Sequence, residues 1–256
     1  MANEQYPVIP QAESFFLKGN STGILLCHGF LGTPQSVKDL GEAIAARGYT
    51  VSCPRLPGHG THFKDIGQFA CSDWFARVED AYNELKLTCS SIFVIGQSMG
   101  GTLSLDLASR YPDIQGIVLI NPAIEIPAFE IYRNQPSSVY VTEDKPDIKR
   151  ADAVEITYEQ APVKAYQQLL LYMNAVEAKL SSVGCPVVCF QSLDDHVVPP
   201  SNTDDIFGKI QSESKQKYEL HNSYHIASMD YELEFITEKS LQFVKEARPL
   251  PAGNKW

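Results

Sequence analysis

Six short apolar runs alternate along this chain with longer stretches of helical character, and that alternation limits the fold more than any other feature. The runs are Ile24–Cys27, Tyr49–Cys53, Ser91–Ile95, Gly116–Ile120, Pro186–Phe190 and Tyr218–His221. Strand, helix, strand in succession means parallel pairing through crossover helices, so the expected class is α/β, with a mostly parallel central sheet and helices on both faces. These runs are near-continuous in apolar character, which fits strands covered on both sides. Thr33-Pro34 opens one predicted helix, with Thr33 as its N-cap and proline where no N–H is needed. Gly48 ends that helix. Ser72 or Asp73 caps a second, running to about Leu87. A third helix stops before Pro112, and the last covers roughly Ser228–Glu246.

One stretch breaks the rhythm. Residues 122–184 separate two sheet strands by far more chain than a crossover helix needs. Their first half carries prolines and aromatics in a loop-like pattern. The second half contains a predicted helix, Val163–Leu180, whose apolar residues suit core and pocket equally. The expected organisation is therefore a core of residues 1–121 and 185–256 with a small cap insertion, 122–184, over the carboxyl edge of the sheet. Open α/β sheets bind ligands at that edge. Arg248–Trp256 reads as a frayed tail.

Charge and cysteine usage exclude several functions. With 21 basic and 31 acidic residues, the net charge is −10. Such a surface repels nucleic-acid backbones and anionic membranes. No apolar run approaches a membrane span, so no membrane insertion is expected. The six cysteines show no CxxC and no zinc-type spacing with histidine, so they read as small buried hydrophobes and no metal is expected. MANEQYPVIP has neither a basic nor an apolar leader region. Together with reduced thiols, this points to the cytoplasm.

Gly96-Gln97-Ser98-Met99-Gly100 matches G-x-S-x-G. The pentapeptide alone arises by chance in about one chain of this length in twelve. Here it follows an apolar strand and opens a helix, the context of a nucleophile elbow. Ser98 would then stand clear of the sheet edge at a helix N-terminus, where negative charge is favoured. A serine hydroxyl needs a base, and the order Ser, Asp, His along the chain places it late. His225 lies in the loop after the last predicted strand and is preferred over His221, which sits at that strand's end. For the partner carboxylate, the loop Ser192–Pro199 offers Asp194 and Asp195, either of which could orient the imidazole. The oxyanion needs backbone donors: the Met99 amide, and one from His28-Gly29-Phe30-Leu31-Gly32, best Phe30. His28 would shape that loop. His59 and His62 have no third ligand spaced for a metal and read as structural or rim residues.

Together these elements resemble the α/β-hydrolases, and within them the bacterial monoacylglycerol lipases and carboxylesterases of Bacillus type. The segments that carry the resemblance are LLCHGFLGTP, GYTVSCPRLPGHGTHF, IFVIGQSMGGTLSLDLA, YEQAPVKA, DDHVVPPSN and HNSYHIASMDY. It runs almost throughout and is thinnest at 128–149, on the cap. It implies hydrolysis of a small lipid ester, a monoacylglycerol, to glycerol and fatty acid without metal or cofactor. It also implies Ser98, Asp195 and His225 as triad, Phe30 and Met99 as amide donors, and a cap carboxylate, Glu155, receiving the glycerol hydroxyls. Gln97 departs from the leucine the resemblance implies and is expected to alter pocket polarity. A broad carboxylesterase and a ligand-binding receptor on the same fold are the alternatives.

Overall fold

Val, Ile and Leu side chains alternate between the two faces of a strand, and a sheet so composed must be covered on both. The computed structural model describes residues 3–247, and the expected tail Arg248–Trp256 lies outside them. Its main sheet has seven strands: β1 (Phe15–Leu17), β2 (Thr22–Cys27), β3 (Thr50–Cys53), β4 (Ser91–Gln97), β5 (Gly116–Ile120), β8 (Val187–Ser192) and β9 (Lys215–Leu220). They lie in the order β1-β3-β2-β4-β5-β8-β9. β1 runs antiparallel to β3, and every other neighbouring pair is parallel.

The two faces feed two apolar clusters. Leu25, Val94, Ile117 and Leu119 point into one, and Ile24, Leu26, Phe93, Ile95, Val118 and Ile120 into the other. Helices α3 (Cys71–Lys86), α4 (Met99–Arg110), α5 (Val163–Glu177) and α6 (Ser201–Lys209) contribute to the first cluster. Helices α1 (Lys38–Ala45) and α7 (Leu233–Glu246) contribute to the second. Each such aliphatic side chain adds about 1.5–3 kcal/mol when fully buried. The short α2 (Phe63–Ile66), between β3 and α3 in sequence, adds Ile66 to the first cluster.

Several expectations need correction. Thr33 has the extended backbone of an N-cap, but its hydroxyl makes no cap bond. A 3₁₀ turn, Pro34–Val37, comes first, and the amide and hydroxyl of Ser36 both donate to the Thr33 carbonyl. Gly48 does turn the chain after α1, with φ +93°. Ala70 precedes α3, and Asp73 accepts its amide from three residues on, at 2.8 Å. β9 begins at Lys215 rather than Tyr218. It is an edge strand, and its exposed Lys-Gln-Lys start carries the charge that keeps edges from pairing further.

The long segment between β5 and β8 holds a 3₁₀ turn (Pro127–Tyr132), a two-stranded sheet and α5. In that sheet β6 (Tyr140–Thr142) pairs antiparallel with β7 (Gln160–Pro162). α5 packs on α3 and α4. Its buried residues from Ala165 to Val176 belong to the core cluster, while Tyr166 and Leu169 also face a cavity above the sheet edge. Both readings of this helix therefore hold, with Tyr166 and Leu169 serving core and cavity at once. Among the described residues no helix is long and apolar enough to cross a membrane.

Candidate active site

β4 ends in a turn that only small neighbours permit. A β-carbon on Gly96 would stand 2.0 Å from the Gly100 carbonyl oxygen, and one on Gly100 would stand 2.0 Å from that of Cys27. Between them Ser98 takes φ +56°, ψ −122°, a backbone that non-glycine residues rarely adopt. Two bonds hold it there: the Ser98 amide donates to the Ile120 carbonyl at 2.9 Å, and its own carbonyl accepts the Ala123 amide at 3.2 Å. The hydroxyl is thereby presented at the carboxyl edge, where α4 starts.

Two loops from neighbouring strands meet it. His225, five residues past β9, places Nε2 2.9 Å from Ser98 Oγ. Its Nδ1–H donates to Asp195 Oδ2 at 2.8 Å. The other Asp195 oxygen accepts the amides of Val197 and Val198 at 2.9 and 2.8 Å, which fixes the carboxylate's rotation. The Asp195 and His225 side chains are only 2% and 8% exposed. Burial alone would lower the His225 pKa, but the charges and hydrogen bond of Asp195, with Asp147 and Glu155 further off, raise it above its usual value. The competitors Asp194 and His221 are both exposed to solvent.

The Met99 amide opens α4, and the first amides of a helix have no partner within it. The loop carrying Phe30 presses on the elbow, since a β-carbon on Gly29 would stand 3.3 Å from Ser98 Cβ. His28 shapes that loop as expected: Nδ1–H donates to the Gly29 carbonyl at 2.9 Å, and Nε2 accepts the Leu56 amide at 3.1 Å. Burial lowers its pKa to about 4, so it stays neutral. His59 is buried edge-on to His28. His62 accepts the Lys64 amide at the start of α2 and stacks on Tyr6. Among the described residues no three histidine, cysteine or acidic side chains are grouped to hold a metal.

Above Ser98 lies a cavity of about 340 Å³. Phe30, Ile126, Phe129, Tyr132, Tyr166 and Leu169 give it an apolar wall. Glu155 reaches it from the insertion, and burial pushes its carboxyl up to about 7, against the pull of His225. Gln35 clamps the chain on either side of Glu155, donating to the Val154 carbonyl at 2.9 Å and accepting the Ile156 amide at 3.1 Å. Glu143 enters the same cavity, takes a hydrogen bond from the Tyr166 hydroxyl and is also pushed to about 7 by burial, with help from Asp144.

Gln97 does not line the cavity, and the expectation that it alters pocket polarity is corrected. It is buried, and Oε1 accepts the Ser228 amide at 3.0 Å. Successive residues at the end of β4 point oppositely, so the neighbour of a pocket residue faces away from it. Asn121 was missed altogether. At φ +45° just past β5, it donates to the His225 carbonyl at 2.8 Å and accepts the Ser192 amide at 2.7 Å, tying both loops together. An asparagine followed by proline directly after an apolar strand was the available signal.

A strand–elbow–helix with an acid, base and hydroxyl converging from three strand ends defines an α/β-hydrolase. The chain belongs to the family described as serine aminopeptidase, S33 (Hydrolase_4), which it matches over residues 20–232. It is 46% identical to the thermostable monoacylglycerol lipase of Bacillus sp. (strain H-257), over 94% of this chain and 97% of that one. It is 27% identical to a carboxylesterase of Bacillus subtilis (strain 168), over 91% and 96% respectively. Among solved structures, one reported with the metagenome-derived lipolytic enzymes LipS and LipT superposes with a TM-score of 0.90. It is 37% identical and covers 94% of this chain and all of its own.

Proposed function

We propose that this protein is a serine carboxylic ester hydrolase acting on monoacylglycerols. Ser98 is its nucleophile, His225 its base and Asp195 the group that orients the base. The observation that carries the reading is the unbroken chain from Asp195 through His225 to Ser98 at the floor of a cavity that is apolar on one side and holds a buried carboxyl on the other. The 46% identical relative named for that activity supports the substrate class.

Ser98 Oγ attacks the ester carbonyl and passes its proton to His225 Nε2. The amides of Phe30 and Met99 receive the oxyanion. Collapse of the tetrahedral adduct breaks the bond to glycerol, whose oxygen takes the proton from His225. Water, deprotonated by the same imidazole, then attacks the acyl-enzyme and releases the fatty acid. Asp195 steadies the imidazolium without taking the proton.

In this reading Glu155 accepts the glycerol hydroxyls. The insertion 122–184 serves as the cap, with residues 122–162 above the sheet edge and the start of α5 walling the acyl site. At about 340 Å³ the cavity falls at the small end of ligand sites, which suits one acyl chain rather than three. A cytoplasmic setting goes with the six unpaired cysteines, five of them buried.

The test is a turnover profile across monoacylglycerols of rising chain length, with di- and triacylglycerols and Ser98→Ala alongside. Diacylglycerols cleaved as fast as monoacylglycerols, or more than a trace of hydrolysis left in Ser98→Ala, would refute the proposal. The 27% identical carboxylesterase favours a second reading, a broader esterase. Simple alkyl esters turned over as well as monoacylglycerols of equal acyl length would establish it.

A further inference from the structure

Asp147 sits on the insertion, between β6 and β7, and it is the point where the insertion touches both loops of the Asp195–His225 pair. Its Oδ2 accepts the backbone amide of His225 at 3.1 Å. The same oxygen accepts the backbone amide of His196, the residue after Asp195, at 3.1 Å. Its Oδ1 accepts from the His196 ring, Nδ1, at 2.8 Å. Its main-chain carbonyl accepts the amide of Ile226, the residue after His225, at 3.1 Å. The carboxylate is 16% exposed.

We propose that Asp147 is a positioning residue for the base: one carboxylate on the insertion holds the backbone of His225 and the residue beside Asp195, so that the seating of the cap and the alignment of the Asp195–His225 pair are set together. The inference rests on the reading of Ser98, His225 and Asp195 as the catalytic set. It assigns Asp147 no contact with substrate chemistry.

The physical argument is one of tolerance. A base misplaced by about 1 Å can lose a hundredfold in rate. His225 is carried on a loop, and loops hold position only as well as their backbone bonds allow. Asn121 secures the His225 carbonyl from below, from the end of β5. Asp147 secures its amide from above. A second tie keeps Asp147 itself in place: buried Asp230 accepts the amides of Lys149 and Arg150 at 2.7 and 3.1 Å, and that of Tyr224 at 3.0 Å. The charged groups around this junction are Asp195, Glu155 and Asp147 facing His225, the His196 ring against Asp147, Asp230 against the Lys149, Arg150 and Tyr224 amides, and Lys149 over the Tyr224 ring. Asp144 and Lys145 line the cavity beside it.

The experiment compares Asp147→Ala and Asp147→Asn with the parent enzyme. It reads kcat and KM on a monoacylglycerol across pH, and the rate at which an alkyl fluorophosphonate labels Ser98. In labelling, the Oγ–P bond forms, P–F breaks, fluoride leaves and the proton goes to His225, so the rate reports the Ser98–His225 pair whatever the natural substrate. Asp147→Ala should lower kcat and the labelling rate by about ten- to a hundredfold, with KM changed by no more than about threefold. Asp147→Asn keeps an acceptor for the two amides but loses the charge. It should recover most of the rate at alkaline pH, with the acid limb of kcat/KM moved to lower pH because one anion no longer favours protonated His225.

Asp147→Ala with parental kcat and labelling, Asp147→Asn no better than Asp147→Ala, or an unmoved acid limb would each overturn the proposal. Thermal unfolding identifies an alanine variant that fails to fold, in which case the asparagine variant decides. If the parent is labelled but cleaves no monoacylglycerol, the substrate reading fails on its own, and the labelling rates alone judge Asp147.

Discussion

The carboxylate of Glu155 rests against Gly32: a β-carbon on Gly32 would stand 2.6 Å from Glu155 Oε1. The loop that supplies Phe30 thus also leaves room for the carboxyl that faces the cavity. Gly32→Ala should displace the end of a flexible side chain rather than the backbone, so stability should change by less than about 1 kcal/mol. KM for a monoacylglycerol should rise, while KM for a simple methyl ester of equal chain length should hardly move. Equal effects on both esters would detach Glu155 from glycerol recognition.

Glu155 ionises in the working range, because burial pushes it up to about 7. An ionised carboxylate accepts hydroxyl hydrogen bonds more strongly than a neutral acid. KM for a monoacylglycerol should therefore fall as pH rises through about 7 in the parent. In Glu155→Gln that pH dependence should vanish.

Gln97→Leu should cost stability and spare specificity. The Gln97 side chain is the acceptor for the buried Ser228 amide, and leaving such a donor unpaired costs about 1–3 kcal/mol. The midpoint of denaturant unfolding should drop, while the ranking of acyl chains stays as in the parent. A changed ranking would return Gln97 to the pocket.

Asp195→Asn should reduce kcat by about 10⁴-fold, as expected when the base loses the group that orients it. The sign of the pH effect follows from the charges. Asp195 holds the His225 pKa up, so the acid limb of activity in the parent lies above the usual histidine value. Residual activity in Asp195→Asn should persist to lower pH. A limb at the same pH in both proteins would argue that His225 is not the titrating base.

Neutral His28 makes stability depend on pH. Burial lowers its pKa from 6.5 to about 4, so below pH 6.5 the unfolded chain takes up a proton that the folded one refuses. The folded state should lose stability as pH falls from 6.5 towards 4, by a few kcal/mol in all at about 1.4 kcal/mol per unit. His28→Gln should be less stable near neutrality and show a shallower decline on acidification. Parallel declines would rule His28 out as the source.

Much of the architecture was legible because the central strands are buried on both sides and read as unbroken apolar runs. Gly116–Ile120 falls where the pattern places it. The edges were less legible for the converse reason. β9 starts in Lys-Gln-Lys, so only its end at Tyr218 reads as a run, and β1, three residues long, offers none. Polar α6 escaped for the same cause. At the site, the convergence of Ser98, His225 and Asp195 was legible because each follows a recognisable strand in a fixed order. Gln97 misled because adjacency in sequence was taken for adjacency in the pocket. Asp147 and Asn121 bond to backbone amides and carbonyls of distant loops; the Asn121-Pro122 pair signals a turn after β5, but nothing in the sequence around Asp147 announces its partners.

The backbone at residue 98 has a consequence for what this elbow can be made to do. At φ +56° a β-branched side chain is strained, so threonine is excluded by shape although its hydroxyl is chemically equivalent. Cysteine and aspartate, unbranched at the β-carbon, avoid that strain. The scaffold therefore filters candidate nucleophiles by their carbon skeleton before their reactivity is ever consulted, and a redesign towards other chemistry at this edge has to start from that short list.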